Sequence, residues 1–271
     1  SFDFSKDPEL GIDEDFFSEL SVVTLAPTVA WKVSDRLNLG ASITPLFGYL
    51  RLRFPAGFPF KYTMRGPGIQ AMFGAQYHVD DRLSLGLGVR TPGIIFMDGS
   101  GPTPEGRRDM DLQIRMPAQV FVGASFDVTP TVELAVSGRW TDSSTLGASL
   151  IRVGGFDQLT TPLVPDANDE FRGAVGVTWA VAPTWKLRTG IGYADGIVGD
   201  DGASPLLFDV GADVKITSGI SYDRGPWTFD VTAGYNFEEH REIDGEEALL
   251  VPGHYEASGG VLFLGLRRGL N

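Results

Sequence analysis

The chain has no cysteine in 271 residues, so neither a disulfide framework nor a thiolate metal site is open to it. It also lacks any run approaching the roughly 18 uninterrupted apolar residues that a membrane-spanning helix needs. Basic residues are scarce: 22 Lys and Arg stand against 35 Asp and Glu, a formal charge of −13. Phosphate backbones are held by clusters of Lys and Arg, and this deficit excludes nucleic acid as a partner. Histidine is rarer still, with only His78, His240 and His254. The last two fall in one loop region, but without a placed nucleophile or third ligand chance proximity outweighs an acid–base or metal site. No cofactor is expected.

What the chain does have is glycine and aromatics: 35 Gly, 18 Phe, 7 Tyr and 5 Trp at a mean hydropathy of +0.00. The periodicity is two almost throughout. Between Trp227 and Phe237, residues Trp227, Phe229, Val231, Ala233, Tyr235 and Phe237 share one face, and Thr228, Asp230, Thr232, Gly234 and Asn236 share the other. The same alternation gives eleven segments, near 21–34, 37–54, 64–79, 82–97, 110–128, 131–146, 170–182, 185–197, 206–222, 226–240 and 249–268. Most exceed the about 9–11 tilted residues that cross a bilayer as a strand.

The connectors alternate in kind. Tight ones stand at Ser34-Asp35-Arg36, Asp80-Asp81, Thr129-Pro130, Ala182-Pro183-Thr184 and Asp223-Arg224-Gly225, and long ones at 55–63, 98–109, 147–169, 198–205 and 241–248. Short turns on one side and long loops on the other predict an all-β, antiparallel transmembrane barrel whose tight turns face the periplasm of a Gram-negative bacterium. Trp31, Tyr77, Phe126, Trp140, Trp185, Tyr222, Trp227 and Phe237 sit near segment ends, as girdles would. A soluble sandwich also alternates, but its polar face would be rich in Lys, Glu and Thr. Here that face is Gly, Ser, Ala and Thr with isolated charges, which suits a crowded lumen.

If the tight turns are periplasmic, the segment at 21–34 starts outside and residues 1–20 form an extracellular segment ahead of a barrel over 21–271. Eleven strands do not close an even-numbered barrel. At least one further strand is therefore expected, either upstream or as a short strand around Phe2 to Phe4.

Several stretches resemble the FadL family of outer-membrane transporters for long-chain fatty acids and, in some members, aromatic hydrocarbons. Phe171-Arg172-Gly173-Ala174-Val175-Gly176 and Trp185 to Asp195 look like paired strands of that family. Met116-Pro117, then Val122-Gly123, then Val136 to Asp142 are similar to its Leu-Pro strand and Trp-containing neighbour, and Tyr255 to Gly259 resembles the opening of its last strand. The resemblance covers roughly residues 21 to 271. It implies a fourteen-stranded barrel plugged by an N-terminal hatch, with a hydrophobic groove leading to a pocket. Against that pattern about eleven strands are visible, the hatch and about three strands are missing, and the chain ends in Leu270-Asn271 rather than an aromatic.

The candidate ligand site lies in 37–54, where the face of Asn38, Gly40, Ser42 and Thr44 continues as Leu46, Gly48, Leu50, Leu52 and Phe54. A lumen polar below and apolar above would hold an alkyl chain, with Arg51 or Arg53 free to meet a carboxylate. Arg53 also resembles a family arginine assigned to carboxylate binding. The competing reading is that Pro45 forces a bulge and turns these leucines to lipid. Phe54, Phe58, Phe60 and Tyr62 form an aromatic outer loop, either a landing surface or a rim anchor. Arg115, Arg139, Arg172, Lys186, Arg188 and Lys215 are read as lumen-facing, paired with Asp127, Glu133, Asp209, Asp213 and Asp230.

The function that follows is passive transport of hydrophobic molecules, foremost long-chain fatty acids, with no catalysis. Outer-membrane lipid and lipopolysaccharide are the expected surroundings, and a partner chain is a possible source of missing strands. The alternatives are an outer-membrane lipase or acyltransferase, and a structural or adhesive barrel subunit of a larger surface complex.

Overall fold

The computed structural model describes residues 2–4, 16–55, 59–103, 106–153, 160–162, 167–197, 213–243 and 253–269. Its strands are β1 (Phe2–Phe4), β2 (Phe16–Thr24), β3 (Thr28–Lys32), β4 (Leu37–Pro55), β5 (Pro59–His78), β6 (Leu83–Arg90), β7 (Gly93–Thr103), β8 (Gly106–Met116) and β9 (Gln119–Thr129). They continue as β10 (Val132–Thr141), β11 (Leu150–Val153), β12 (Thr160–Pro162), β13 (Glu170–Ala182), β14 (Trp185–Ala194), β15 (Asp213–Arg224), β16 (Trp227–Ile243) and β17 (Gly253–Arg268). Every pairing is antiparallel. Five pairs lie end to end as single staves of the wall: β2 with β3, β6 with β7, β8 with β9, β10 with β11, and β12 with β13. With β4, β5, β14, β15, β16 and β17 they make eleven staves among the described residues, each laddered to the next.

The two outermost of these staves run in the same direction, and the three-residue β1 pairs antiparallel with the β2 part of the first. Among the described residues β17 is laddered to β16 alone, and β3 to β4 alone. All of Thr28–Lys32 is exposed, on both faces, and so are Leu262 to Arg268.

The tight turns are held by side chains. Ser34 Oγ, Asp80 Oδ1 and Thr129 Oγ1 each accept from the backbone N–H groups two and three residues on, at 2.8–3.3 Å. Short polar residues at a turn's first position do this wherever the chain must reverse. Asp80 gains most, because these two N–H groups hold its carboxyl below the usual carboxylate range.

One face of the wall is a continuous apolar surface, with Phe47, Ile69, Phe73, Val122, Trp179, Ile191 and Leu264 each about half exposed or more. Water would not tolerate a patch of that extent; hydrocarbon requires it. On β4 the outward residues Leu37, Leu39, Ala41, Ile43, Pro45 and Phe47 lie over ten residue steps. At about 3.3 Å per residue and a tilt near 40° they cover about 25 Å, the height of a barrel's apolar band.

Above that height the polarity of the wall inverts. Outward positions become Tyr49, Arg51 and Arg53 on β4, Lys61, Thr63 and Arg65 on β5, Asp98 and Ser100 on β7, and Asp109 and Asp111 on β8. Inward positions become Leu50, Leu52, Tyr62, Met64, Met97, Met110 and Leu112, all buried. Strands rising into water need an apolar inner face to hold together, and these supply it to one another.

That inner face explains where the sequence reading erred on boundaries. The loops expected at 55–63 and 98–109 are largely strand, with β4 paired to β5 as far as Pro55 and Pro59, and β7 to β8 as far as Thr103 and Gly106. The first stave starts at Phe16 rather than 21, because Leu20 and Val22 lie opposite Leu50 and Gly48. The short strand around Phe2 to Phe4 is present, paired with β2.

Pro45 makes no bulge against β5; Pro45 stands opposite Ile69 in an unbroken register. Its carbonyl accepts from Leu25 N at 3.2 Å, so its missing N–H points to the β2–β3 side, where residues 25–27 already interrupt the ladder. The leucines of β4 therefore stay inward. Arg115, expected in the lumen, faces outward opposite Ile94 and is exposed. Unpaired Pro117 and Ala118 break the alternation between β8 and β9, so the inward set passes from even residues to odd. Thr91 and Pro92 do the same between β6 and β7.

Candidate functional site

The inward side chains of the upper wall meet in one cluster. Leu46, Leu50 and Leu52 of β4, Tyr62 and Met64 of β5, Ile95 and Met97 of β7, and Met110, Leu112 and Ile114 of β8 are each no more than 4% exposed. The sheet coils tightly enough for this because glycines let strands approach. A Cβ on Gly66 would lie 1.8 Å from the Phe96 carbonyl oxygen, and one on Gly101 would lie 2.1 Å from the Tyr62 ring. Tyr62 satisfies its hydroxyl by donating to the Pro102 carbonyl at 2.9 Å.

Directly beneath lies a cavity of about 350 Å³ whose lumen-side lining includes Ser42, Thr44, Leu46, Gln70, Arg90 and Met116. Its roof is the apolar cluster, and its walls mix apolar Ala26, Met72 and Phe73 with polar Ser42, Thr44, Gln70 and Arg90. Gln70 Nε2 donates to the Thr91 carbonyl at 2.8 Å and the Pro117 carbonyl at 3.3 Å, which serves two carbonyls where the proline breaks interrupt the ladder. Below it a cavity of about 460 Å³ is lined by Asn38, Gly40, Gly74, Gln76, Gly86 and Gly88 among others. At the foot His78 bonds Ser84 Oγ through Nδ1 at 2.8 Å and Asn38 Nδ2 through Nε2 at 3.4 Å.

The lumen charges are organised by register. Arg90 Nη1 donates to Gln119 Oε1 at 2.8 Å, and Gln119 Nε2 to Thr141 Oγ1 at 3.3 Å. Arg139 and Arg172 both bind Glu170, at 2.8 and 2.6 Å. Arg188 reaches Asp230 at 3.1 Å, Arg267 reaches it at 3.5 Å, and Ser221 donates to the same carboxylate. Of the cations expected in the lumen, Arg139 pairs with an acid of the neighbouring stave, Lys186 lies 3.9 Å from Asp223 of β15, and Arg188 reaches across to Asp230 of β16. Arg172 takes Glu170 two residues earlier on its own strand, while Arg115 faces outward. Of the acids expected as partners, Asp230 is in these pairs and Asp209 lies outside the described residues.

Of the residues singled out from sequence, Leu46, Leu50 and Leu52 come together in the cluster. Arg53 does not join them. It alternates to the opposite face of β4, exposed, beside Phe17 and Lys61 in the register. Phe54 and Phe60 are register partners, and Phe58 lies outside the described residues. Met64, Ile95, Met97, Met110, Leu112 and Ile114 went unread. Their signal was present in β8, where Met110, Leu112, Ile114 and Met116 alternate with Asp109, Asp111, Gln113 and Arg115. His240 and His254 stand opposite Glu256 and Glu242 on β16 and β17, and among the described residues no group of His, Asp and Glu could hold a metal.

No protein-family profile matches the sequence, and no curated protein matches it at the level of sequence. Solved structures do match. The CymD monoaromatic hydrocarbon channel superposes with a TM-score of 0.68 at 12% identity, covering 94% of this chain and 75% of that one. The Ralstonia pickettii toluene transporter TbuX gives 0.69 at 16% identity, over 94% and 69%. A Pseudomonas aeruginosa FadL homologue gives 0.68 at 17% identity, over 93% and 67%. The chain has a FadL-like fold. Identities this low establish architecture alone. In this FadL-like wall the apolar cluster, the cavity beneath it and the lower cavity with Asn38 and Gln76 in its lining follow one another down β4 and β5.

Proposed function

We propose that the chain forms the wall of a Gram-negative outer-membrane barrel that passes small hydrophobic molecules down their concentration gradient. The observation that carries this is the order of environments: a cluster of ten buried apolar side chains above a cavity of about 350 Å³, in a wall whose inner face also carries ion pairs. A hydrophobic molecule leaves water for the cluster, and the polar side chains among the apolar ones below, Gln70 and Arg90 first, keep it from being held there. The printed functions of the similar structures, monoaromatic hydrocarbon channel and toluene transporter, support the same substrate class.

Leu46, Leu50 and Leu52 with Met64, Met97 and Leu112 would make the ligand contacts. Long-chain fatty acids and monoaromatic hydrocarbons are the two candidates within the class. Arg53 faces away from the cluster, so a carboxylate in the cavity would be met by Arg90, the one basic residue among its described lining. The test is flux through the reconstituted protein. Toluene or oleate should cross proteoliposomes well faster than empty liposomes, with no gain for a sugar of similar size; equal gain for the sugar would show a general pore and sink the reading. A second reading, a structural wall subunit completed by another chain, is favoured by the exposed edges at β3 and β17, and a stoichiometric partner on purification would support it.

A further inference from the structure

The apolar cluster is closed. Its ten side chains are each no more than 4% exposed, so a molecule reaches them only after something moves. The wall strands are poor candidates for that movement. β4 is laddered to β5 from Leu46 and Gly68 up to Pro55 and Pro59, and β7 to β8 from Ile95 and Ile114 up to Thr103 and Gly106. Parting either pair breaks a run of backbone hydrogen bonds together.

Among the described residues, five further apolar side chains pack on the cluster. Val22 and Met116 belong to the wall strands β2 and β8. Leu146, Ala167 and Ile197 come instead from connectors: the 3-10 turn Ser143–Ala148 after β10, the approach to β13, and the exit from β14.

These three are not held alike. The turn that carries Leu146 is fastened to the wall, with Asp142 N donating to the Ala118 carbonyl and Arg115 N to Ser149 Oγ, both at 2.9 Å. Ala167 and Ile197 are joined to each other, since Asn168 N donates to the Ile197 carbonyl at 2.6 Å. Asp169 ties this pair to the fixed side. Its Oδ2 accepts from Trp140 Nε1 at 3.1 Å and its Oδ1 from Ser144 N at 3.4 Å. Behind it, Asp195 N donates to the Phe171 carbonyl at 3.1 Å where the β13–β14 ladder ends, which gives the pair a point to swing about.

We infer that Ala167, Asn168 and Asp169 with Ile197 form an entry lid over the apolar cluster, and that Asp169 is its latch. The inference rests on the transport reading above, because a cluster that takes up a ligand must be uncovered. Lifting the lid costs the contacts of two apolar side chains and two hydrogen bonds to one carboxylate, and both bonds part when that side chain turns. Opening the wall costs a ladder.

The chain has no cysteine, so a single introduced thiol reports alone. Met97→Cys places one inside the cluster of the full chain, and its rate of modification by N-ethylmaleimide reads how often the cluster is uncovered. Adding Asp169→Ala should raise that rate by on the order of tenfold, the effect of losing one hydrogen bond to a charged group. Asp169→Asn keeps one acceptor oxygen; it should raise the rate less, and it stands in if the alanine variant misfolds. Asp213→Ala removes a carboxylate that accepts from Asn236 on β16 and controls for general loosening, so the rate should stay as it was. An unchanged rate in both Asp169 variants, or an equal rise in Asp213→Ala, overturns the lid. Toluene uptake by proteoliposomes, with Met97 intact, separates the two readings. Faster uptake in Asp169→Ala than in wild type supports entry under the lid. Labelling that rises while neither protein takes up toluene ends the transport reading and leaves the lid, whereas equal uptake by both ends the lid's part in entry and leaves transport standing.

Discussion

Leu52 and Arg53 stand back to back on β4, the first 1% exposed inside the apolar cluster and the second exposed on the outer wall. One peptide bond thus separates the two solvents of this barrel's rim, and substitutions at the two positions should act on different properties.

Leu52→Ala removes packing from a site with no room to collapse, at a cost of about 2–5 kcal/mol. It should lower the urea midpoint of unfolding and change hydrophobic flux. Arg53→Ala should leave both within error. Flux that follows Arg53 and ignores Leu52 would show that the pathway runs elsewhere.

Arg90→Gln keeps a hydrogen bond to Gln119 within reach but removes the cation from the cavity wall. Oleate flux should fall severalfold if a carboxylate passes this point, and toluene flux should not. The ratio of the two, measured in one preparation, names the substrate class.

Glu170 takes Arg139 and Arg172 together, and its side chain is 8% exposed. Glu170→Gln leaves two guanidinium groups short of a carboxylate inside the lumen. Allowing for the partial exposure of both arginines, a loss of about 1.5–3 kcal/mol is expected in equilibrium unfolding.

Gly66→Ala puts a methyl group against the Phe96 carbonyl on the neighbouring strand, which must shift to admit it. Gly173→Ala meets nothing within 4 Å. Thermal unfolding should separate them, with the first clearly destabilised and the second close to wild type.

Asp80 carries the pH dependence of its turn. Its folded pKa is depressed by the Arg82 and Leu83 N–H groups, so its contribution is present above the ordinary aspartate value of the unfolded chain and is lost as pH falls through the lower folded value. Hydrogen-exchange protection of those two amides should drop over that acid range in the wild type. In Asp80→Asn it should be low and flat with pH; an unchanged profile would show that the turn holds without the carboxylate.

The eleven staves and their tight turns were legible because alternation is a property of single strands, and each carries its own record of which face meets lipid. The leucines of β4 were legible for the same reason, since the ladder passes Pro45 unbroken. Three features were not. Arg115 was assigned to the lumen because the phase change at Pro117 and Ala118 depends on which neighbour pairs with each half of the stave. The hairpin at 98–109 was read as loop because a rule of apolar-out holds only within the bilayer, and β7 and β8 outrun it. The cluster was half seen because β8's apolar residues, unread in the sequence, belong inside once that height is passed.

The shared direction of the two wall edges constrains whatever completes the circle. Backbone groups facing hydrocarbon must be paired, and joining the two outermost staves through antiparallel ladders takes an odd number of strands between them, of which β1, paired with β2, is already a part. A second copy of the chain inserted in the same sense would bring like-directed edges together and force parallel ladders into an otherwise antiparallel wall. Among the described residues, the groups of β17 and β3 that face away from β16 and β4 are matched in antiparallel sense only by strands running opposite to both.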